Sequence, residues 1–299
     1  MDGILNVNKP EGETSFGVVA RIRRLTGERR VGHGGTLDPL ATGVLPVCLG
    51  RGTRVVEFLV DATKEYQARI QLGVVTDTYD AAGRVTQRGD ASAVRREQLE
   101  AALASFRGVI LQTPPMYSAL KYRGKRLYEL ARAGVEVERK SRPVEIHQME
   151  LMDWQPPVVT VKVVSGKGTY IRSLAHDLGQ ALGCGASLAG LVRSRYGLFH
   201  LADAVSLSQL EYIVSSGYWQ HLVYPVDVVL SHWPAVVVSE ANALALRNGR
   251  PLDFADGSDA SGATHSGRCR AYGADGLFLA VLRYSAAARQ WLPEKVFGD

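Results

Sequence analysis

The chain has 299 residues, of which 46% are apolar and 22% charged, and this balance excludes intrinsically disordered and fibrous proteins. The length is typical of two domains, and no apolar run reaches the ~18 residues of a membrane helix. The first residues lack the basic and apolar segments of a secretion signal, and three scattered cysteines argue against a disulfide framework or a cysteine zinc site. We therefore expect a cytoplasmic protein that does not associate with membranes.

The positive charge is concentrated in the first half of the chain. Residues 1–150 hold 23 Lys and Arg against 18 Asp and Glu, whereas residues 151–299 hold 12 of each. Cations cluster at 21–30 and at 121–142, and 27 of the 35 are arginines, whose planar guanidinium suits phosphates and base edges. This pattern favours a nucleic acid as partner, although charge alone is equally compatible with a solvated basic surface.

The chain opens with a strand and a helix. A short strand is predicted at 4–7, after which Ser15 can cap a helix that Gly27 can end. The predicted apolar side of this helix is formed by Phe16, Val19, Ile22 and Leu25. After a loop rich in Gly and Thr, alternating apolar and polar residues predict a strand at 66–72.

The middle of the chain mixes helices and strands. Helices are predicted at 92–106 and 170–182, with a strand at 158–164 between them. Residues 113–134 combine a Thr-Pro-Pro turn with a basic helix, which is typical of an insertion that leaves the core. Because regular βαβ units are missing, the sequence predicts an α+β fold with a mixed, largely antiparallel sheet.

Composition changes near residue 232, which indicates a domain boundary. Beyond it the chain is rich in glycine, and short apolar runs are separated by Gly and Asp turns, as in a small β-barrel. These runs lie at 235–238, 268–272 and 277–283. We predict a larger domain over 1–232 and a small barrel-like domain over 233–299.

The common cofactor signatures are missing from the sequence. Residues 32–37 begin like a dinucleotide-binding motif, but Leu37 stands where the third glycine is required. There is no P-loop, no H-E-x-x-H and no G-x-S-x-G, and the seven histidines lack ligand spacing. We therefore expect no metal and no cofactor, so that side chains must perform any chemistry.

The most unusual segment covers 31–46 and carries Asp38 between Leu37 and Pro39. The three glycines that precede Asp38 allow the backbone to approach a ligand closely. An aspartate in such an apolar setting needs a neighbouring cation to remain ionised. Spacing alone nevertheless favours the simpler interpretation, an aspartate in a tight Asp-Pro turn.

This segment and five further blocks resemble the bacterial tRNA pseudouridine synthase family that acts on the T-loop uridine (TruB type). The blocks follow in order at 8–15, 32–43, 64–66, 113–121, 168–174 and 191–194. The match runs nearly end to end, and its Gly-His-x-Gly-Thr-Leu-Asp-Pro block is highly specific. One departure is Ser194, which stands where the family commonly has the second basic residue of Leu-Arg-Arg; this affects one phosphate or base contact but not the reaction.

The resemblance implies the pseudouridine synthase fold and a C-terminal PUA-like domain that binds RNA. It implies that the uridine at position 55 of tRNA is converted to pseudouridine, as the N1–C1′ bond breaks and C5 joins C1′. No cofactor is implied, because base and sugar exchange one bond within one pocket. The implied partners are the T-arm and acceptor end of tRNA, without a guide RNA or protein partner, and a monomer is expected.

The resemblance also implies the catalytic residues. Asp38 matches the catalytic aspartate, which either attacks C1′ as a nucleophile or promotes glycal formation. Arg172 matches an arginine that pairs with this aspartate and would keep it ionised. Tyr66 matches a residue that stacks on the target base and can serve in proton transfer at C5.

Further positions match residues that bind the RNA. Tyr170 corresponds to a tyrosine that hydrogen-bonds near the nucleophile, Leu191 to an apolar wall of the uracil pocket, and Lys9 to a phosphate contact or a buttress of the site. Because a stacked uridine must be flipped out to reach a buried aspartate, His33 corresponds to the residue that fills the vacated space. The RNA-gripping insertion at 113–134 contributes the cations Lys121, Arg123, Lys125 and Arg126.

Two rival functions remain at this stage. The guide-RNA-dependent synthases of archaea and eukaryotes share the aspartate block, but the 113–121 block favours the bacterial stand-alone type. A non-catalytic RNA chaperone would use the same surface without chemistry. A complete set of catalytic residues argues against a chaperone alone, and the two roles are compatible.

Overall fold

A mixed sheet of eleven strands forms the framework of the protein, as seen in a computed structural model that describes residues 1–253 and 267–298. The strands up to residue 224 are β1 (Gly3–Lys9), β2 (Val31–His33), β3 (Ala41–Leu49), β4 (Lys64–Leu72), β5 (Val74–Thr76), β6 (Val85–Arg88), β7 (Gly108–Gln112), β8 (Lys121–Tyr122), β9 (Lys125–Arg126), β10 (Arg142–Gln155), β11 (Val158–Ser165), β12 (Ala186–Tyr196), β13 (Phe199–His200), β14 (Val205–Ser206) and β15 (Val223–Tyr224).

The main path of this sheet runs in the order β14-β1-β3-β12-β4-β11-β10-β7, with β2, β13 and β15 paired at its side. Two strand pairs are parallel, β1 with β14 and β3 with β12, and the other pairs of this sheet are antiparallel. The predicted α+β class with a mixed, largely antiparallel sheet is thus confirmed. The pairs β5–β6 and β8–β9 form separate small hairpins.

Helices cover the sheet in two places. They are α1 (Ser15–Thr26), α2 (Val56–Leu59), α3 (Arg96–Ser105), α4 (Leu127–Arg132), α5 (Ile171–Ala181) and α6 (Leu207–Ser215). The pair α3 and α5 packs on the central strands through residues such as Leu99, Leu174 and Leu178, whereas α1 and α6 pack on β1 and β3. None of the helices described has the length and apolar character needed to cross a membrane.

Helix α1 differs from its prediction in one respect. Thr14 caps the helix by accepting a hydrogen bond from Gly17 N, and Gly27 ends it with a φ of 69°. The buried row is therefore Ser15, Val18, Val19 and Ile22. Phe16 is rotated by ~100° from this row and is 70% exposed. The predictions that Ser15 is the cap and that Phe16 faces the core are wrong.

The insertion after β7 is built from short and exposed elements. Its hairpin β8–β9 turns at Arg123 and Gly124, whose φ values of 48° and 87° are left-handed. Helix α4 follows at once and is shorter than the predicted basic helix, with Leu127 as its buried anchor. The cationic side chains of the hairpin are left in solvent.

A second sheet follows residue 233. It consists of β16 (Ala235–Val237), β17 (Arg268–Tyr272), β18 (Phe278–Ser285) and β19 (Gln290–Val296), and helix α7 (Glu240–Arg247) packs on it. The strands lie in this order in one open sheet within the described residues, so a closed PUA-like barrel is not confirmed. Helix α7 was not predicted, although Ser239 caps it.

The second sheet contacts the first directly. Val281 and Phe297 share an apolar cluster with Ile4 and Val55. An ion pair of 2.7 Å joins Lys295 Nζ to Glu57 Oε1, and the guanidinium groups of the 50–55 turn donate to carbonyls at the end of β19. The predicted domain boundary at residue 232 remains a prediction, because residues before and after it pack in the same apolar cluster.

Candidate active site

Asp38 lies on the loop between β2 and β3, where β3 begins beside β12. The Ser15 hydroxyl fixes the residue before it, since it donates to Leu37 O at 3.0 Å and accepts from Leu37 N at 2.9 Å. On the other side, Gly12 N donates to Pro39 O at 2.8 Å. The turn before α1 and the first residue of α1 therefore hold the loop on both sides of Asp38.

Arg172 comes from the first turn of α5 and pairs with Asp38. Its Nη2 donates a hydrogen bond to Asp38 Oδ1 at 3.2 Å, and its Nε lies 2.8 Å from Oδ2 in an ion pair. The Arg172 side chain is 6% exposed and that of Asp38 is 37% exposed. A buried guanidinium thus aims a carboxylate that a ligand can still reach.

Three further oxygens fix the guanidinium of Arg172. Nη2 also donates to Tyr117 O at 2.8 Å, Nη1 donates to Thr78 O at 3.2 Å, and Asp80 Oδ2 lies 3.6 Å from Nη1. Asp80 is buried and was not among the predicted site residues. The Thr- and Asp-rich turn at 76–83 is the sequence feature that points to Asp80, but the sequence does not show that its partner lies 92 positions later.

The pKa of Asp38 is raised above its ordinary value. Desolvation is the largest cause, and the negative charge of Asp80 adds to it, whereas Arg172 and Lys9 act in the opposite direction. The surrounding protein therefore makes this carboxylate more basic than one in water. A more basic carboxylate that remains accessible is suited to nucleophilic or proton-transfer chemistry.

Lys9 is fully buried beneath the same loop. Its ammonium donates to Pro10 O and Glu13 O at 2.7 Å and to Pro39 O at 3.4 Å. Burial lowers the pKa of Lys9 to about 8. Of the two expected roles, this geometry favours the buttress over the phosphate contact.

Tyr66 and Leu191 lie on the neighbouring strands β4 and β12, and both are 8% exposed. They belong to one apolar cluster with Leu37 and Ala41, the residues that flank the Asp38 turn. The structure therefore brings these two predicted residues together on the apolar side of the Asp38 loop.

Tyr170 immediately precedes α5, and its backbone is clamped by Gln112. The Gln112 side chain donates to Tyr170 O at 3.0 Å and accepts from Tyr170 N at 2.8 Å. The guanidinium of Arg142 lies 5.3 Å from the centre of the Tyr170 ring. Gln112 is buried and was not predicted, because its role depends on a residue 58 positions away.

His33 ends β2 and is half-buried. Burial lowers its pKa, and the charge of Arg193 lowers it further, so that its neutral form is favoured. Arg193 is itself buried and was not predicted; it donates to Val44 O at 2.7 Å and to Gly35 O at 3.1 Å. It thereby ties the glycine-rich turn before Asp38 to β3.

Two remaining predictions concern polar residues outside this pocket. Ser194, at the position where a basic residue was expected, donates to Glu65 Oε1 at 2.8 Å. The four insertion cations are exposed, and none has an acidic partner within the described ranges: Lys121, Arg123, Lys125 and Arg126. They are therefore free to bind an external anion.

Comparison with known proteins places the chain in a family. One family model, the N-terminal domain of TruB family pseudouridylate synthases, matches residues 23–171, and the C-terminal domain of tRNA pseudouridylate synthase B matches residues 172–231. A tRNA pseudouridine synthase B of Dehalococcoides mccartyi strain CBDB1 is 47% identical over 99% of this chain and 97% of the relative. The protein of that name from Clostridium kluyveri is 45% identical over 83% of this chain and 84% of the relative.

Solved structures give the same fold. A Cbf5–Nop10–Gar1 complex matches with a TM-score of 0.73 and 27% identity, over 99% of this chain and 84% of that chain. An H/ACA RNP bound to a substrate RNA containing 2′-deoxyuridine matches with a TM-score of 0.72 and 25% identity, over 99% of this chain and 85% of that chain. The expected pseudouridine synthase fold is thereby confirmed, and the chain belongs to the TruB family of pseudouridylate synthases.

Proposed function

We propose that the protein is a stand-alone tRNA pseudouridine synthase that isomerises the T-loop uridine at position 55. The observation that carries this proposal is the Asp38–Arg172 pair, in which a reachable carboxylate lies 2.8 Å from a buried guanidinium. The curated relatives named tRNA pseudouridine synthase B support tRNA as the substrate. The enzyme works in the cytoplasm as a monomer.

The proposed chemistry uses the ionised carboxylate of Asp38. It attacks C1′ of the uridine, or promotes a glycal, while the N1–C1′ bond breaks and its electron pair leaves with the uracil. The uracil then rotates and C5 bonds to C1′ as the bond between Asp38 and C1′ breaks; in the glycal route, the proton that Asp38 took from C2′ returns at this step. The C5 proton leaves and N1 gains a proton, so that the product is an isomer of the substrate. No cofactor takes part. Tyr66 stacks on the uracil and serves in the proton transfer at C5.

The uridine reaches Asp38 by flipping out of the T-loop. We assign His33 to the vacated space, which its neutral imidazole can fill by stacking and hydrogen bonding. Leu191 forms an apolar wall for the uracil, in keeping with its position beside the Asp38 turn. Tyr170 hydrogen-bonds near the nucleophile, and its clamped backbone supports a fixed position.

The grip on the RNA is electrostatic. The exposed cations of the β8–β9 hairpin bind phosphates of the T-arm, and the sheet over 235–296 contacts the acceptor end as a PUA-like RNA-binding unit. A surface that holds tRNA in this way can also assist its folding. We therefore propose a chaperone role beside catalysis, supported by the exposed cations of the insertion.

The guide-RNA-dependent type is the main rival. Two structural neighbours come from multi-component assemblies, a Cbf5–Nop10–Gar1 complex and an H/ACA RNP. Their identities of 27% and 25% to this chain are well below the 47% of the Dehalococcoides mccartyi relative. This difference supports catalysis without guide RNA or protein partner.

The test is pseudouridine mapping after incubation of unmodified bulk tRNA with the purified protein alone. We expect pseudouridine at position 55 and at no other T-loop position. No product without added guide RNA, or product at another uridine, would contradict the proposal. A second experiment tests the chaperone role separately from the chemistry. Heat-denatured tRNA is refolded with and without the Asp38→Asn variant, and the two refolded samples are compared.

A further inference from the structure

Two aromatic rings meet beside Arg172 in a contact that the proposed reaction does not use. On α5, Arg172 and His176 are four residues apart and therefore lie on one face of the helix. The loop at 77–80 crosses this face. Its Thr78 carbonyl accepts from Arg172 Nη1 at 3.2 Å, and its Tyr79 ring stacks on the His176 imidazole, with centroids 3.9 Å apart and planes at 13°.

Tyr79 has a backbone conformation that residues other than glycine rarely adopt. Its φ is 63°, in the left-handed region, and such a conformation persists only where its surroundings hold it. Tyr79 N donates to Thr76 O at 3.2 Å, and Tyr79 O accepts from Leu188 N at 3.0 Å. The stack on His176 adds the contact that fixes the ring.

The same loop carries Asp80, the buried acid near Arg172. The Asp80 carboxylate lies 3.6 Å from Arg172 Nη1 and accepts from the Thr78 hydroxyl at 2.6 Å and from Ala82 N at 3.1 Å. Tyr79 stands between the two loop residues that contact Arg172. Release of its ring would therefore loosen Thr78 and Asp80 together.

His176 is suited to contact through the face of its ring. Its Nδ1 is buried and has no hydrogen-bond partner among the residues described. Burial lowers its pKa, and the charge of Arg139 lowers it further, so that the neutral imidazole prevails near neutral pH. Because the imidazole is neutral and Nδ1 makes no hydrogen bond, a phenyl ring of similar shape should serve in its place.

We propose that His176 is a positioning residue: by stacking on Tyr79 it holds the 77–80 loop against α5, and this loop aims Arg172 at Asp38. The inference rests on the proposed function, because Asp38 is the group that Arg172 serves. Both rings are only half-buried. A direct contact of the stack with RNA is therefore the alternative that the experiment must separate.

The experiment compares His176→Ala with His176→Phe, and adds Tyr79→Asn, because asparagine tolerates a left-handed backbone while lacking the ring. Three quantities are measured: hydrogen exchange of the amides at 77–83 in the RNA-free protein, the single-turnover rate on tRNA, and the Kd for tRNA. We expect faster exchange, an approximately tenfold lower rate and a Kd within twofold for His176→Ala and Tyr79→Asn. His176→Phe should stay within twofold of the unmodified protein in all three.

The pH profile gives a further readout. If Arg172 is less well held beside Asp38, the pKa of Asp38 rises, and the acid limb of the rate should move to higher pH in His176→Ala but not in His176→Phe. Equal losses in both His176 variants, or unchanged exchange at 77–83, would overturn the proposal. A raised Kd with an unchanged rate would make the stack an RNA contact instead.

The controls separate this proposal from the function on which it rests. Exchange of β11 amides should be the same in all variants, which shows that the fold is intact, and Tyr79→Asn replaces His176→Ala if the latter does not fold. If the unmodified protein forms no pseudouridine, the proposed function fails, while the exchange comparison still decides whether His176 holds the loop.

Discussion

The Asp38 loop and the insertion at 113–134 serve the same proposed reaction, but they are held in opposite ways. The first is enclosed by buried polar contacts from Ser15, Lys9 and Arg193, which come from three different elements. The second consists of two-residue strands and a short helix whose cations point into solvent. Bond chemistry requires a carboxylate fixed to fractions of an ångström, whereas a phosphate grip requires charge within reach.

The two regions also differ in what a substitution removes. Near Asp38, loss of one side chain leaves buried donors or acceptors without partners, which costs about 1–3 kcal/mol each. In the insertion, loss of one exposed cation removes a charge that salt already screens. We therefore expect single substitutions near Asp38 to affect rate, and only combined substitutions in the insertion to affect binding.

The largest effect is expected from Asp38→Asn. The amide keeps size and polarity but removes the charge that attacks C1′, so the single-turnover rate should fall by at least about 1,000-fold. The Kd for tRNA should stay within a few-fold. Asp61→Asn, at an exposed aspartate paired with Lys167, is the matched control. Product at a tenth of the normal rate or faster would remove Asp38 from the nucleophile role.

A smaller loss of the single-turnover rate, about 100-fold, is expected from Arg172→Met, which keeps the bulk of the side chain but removes the charge beside Asp38. Asp38 must be ionised to react, so the rate falls as the pH drops through its pKa, which lies above the ordinary 3.8. Without the Arg172 charge this pKa rises further, and the acid limb should shift to higher pH. An unshifted limb would mean that Arg172 does not control the ionisation of Asp38.

The pH measurement needs one control. Burial raises the pKa of Asp177 to about 6, and this residue lies on α5 five positions after Arg172. A limb near pH 6 could therefore report Asp177 instead of Asp38. The profile of Asp177→Asn separates the two, because a limb that belongs to Asp38 persists in that variant.

His33→Ala should reduce the rate on folded tRNA about tenfold, since base–aromatic stacking contributes about 1–3 kcal/mol. On a short unstructured RNA of the same sequence the deficit should shrink, because less stacking is lost on flipping. His33→Phe should recover part of the rate on tRNA. Equal losses for both variants on both RNAs, with a pH profile altered near the histidine pKa, would instead indicate proton transfer by His33.

The smallest effect on rate is expected in the insertion. When four cations are changed to glutamine, we expect tRNA binding to depend less steeply on salt: the slope of log K against log salt concentration should shrink by up to about 3. The four cations are Lys121, Arg123, Lys125 and Arg126. The affinity should fall more than the rate at saturation. A control removes four exposed cations at or next to β6 and α3, of which Arg96 pairs with Glu100: Arg84, Arg88, Arg95 and Arg96. The same slope change in both variants would show a general charge effect.

Local patterns in the sequence predicted what depends on neighbours along the chain. The strand at 66–72 and the helix at 170–182 appear as β4 and α5 with nearly the predicted ends, because alternation and i,i+4 spacing are local signals. The same signals placed Phe16 on the wrong side of α1, because a helical row that starts at Phe16 differs by only one position from the buried row that starts at Ser15. Helix α7 lies in a segment whose glycine content suggested only strands.

The sequence by itself determined the α+β class, the absence of common cofactor motifs and, through six ordered blocks, the family with Asp38 and Arg172 as a predicted pair. Only the tertiary structure decided what surrounds that pair. Asp80, Gln112 and Arg193 act on atoms 58 to 158 positions away, and such contacts exist only after strands from distant parts of the chain pair in one sheet. Periodicity reports burial along one element, whereas the direction of a buried hydrogen bond depends on the element packed against it.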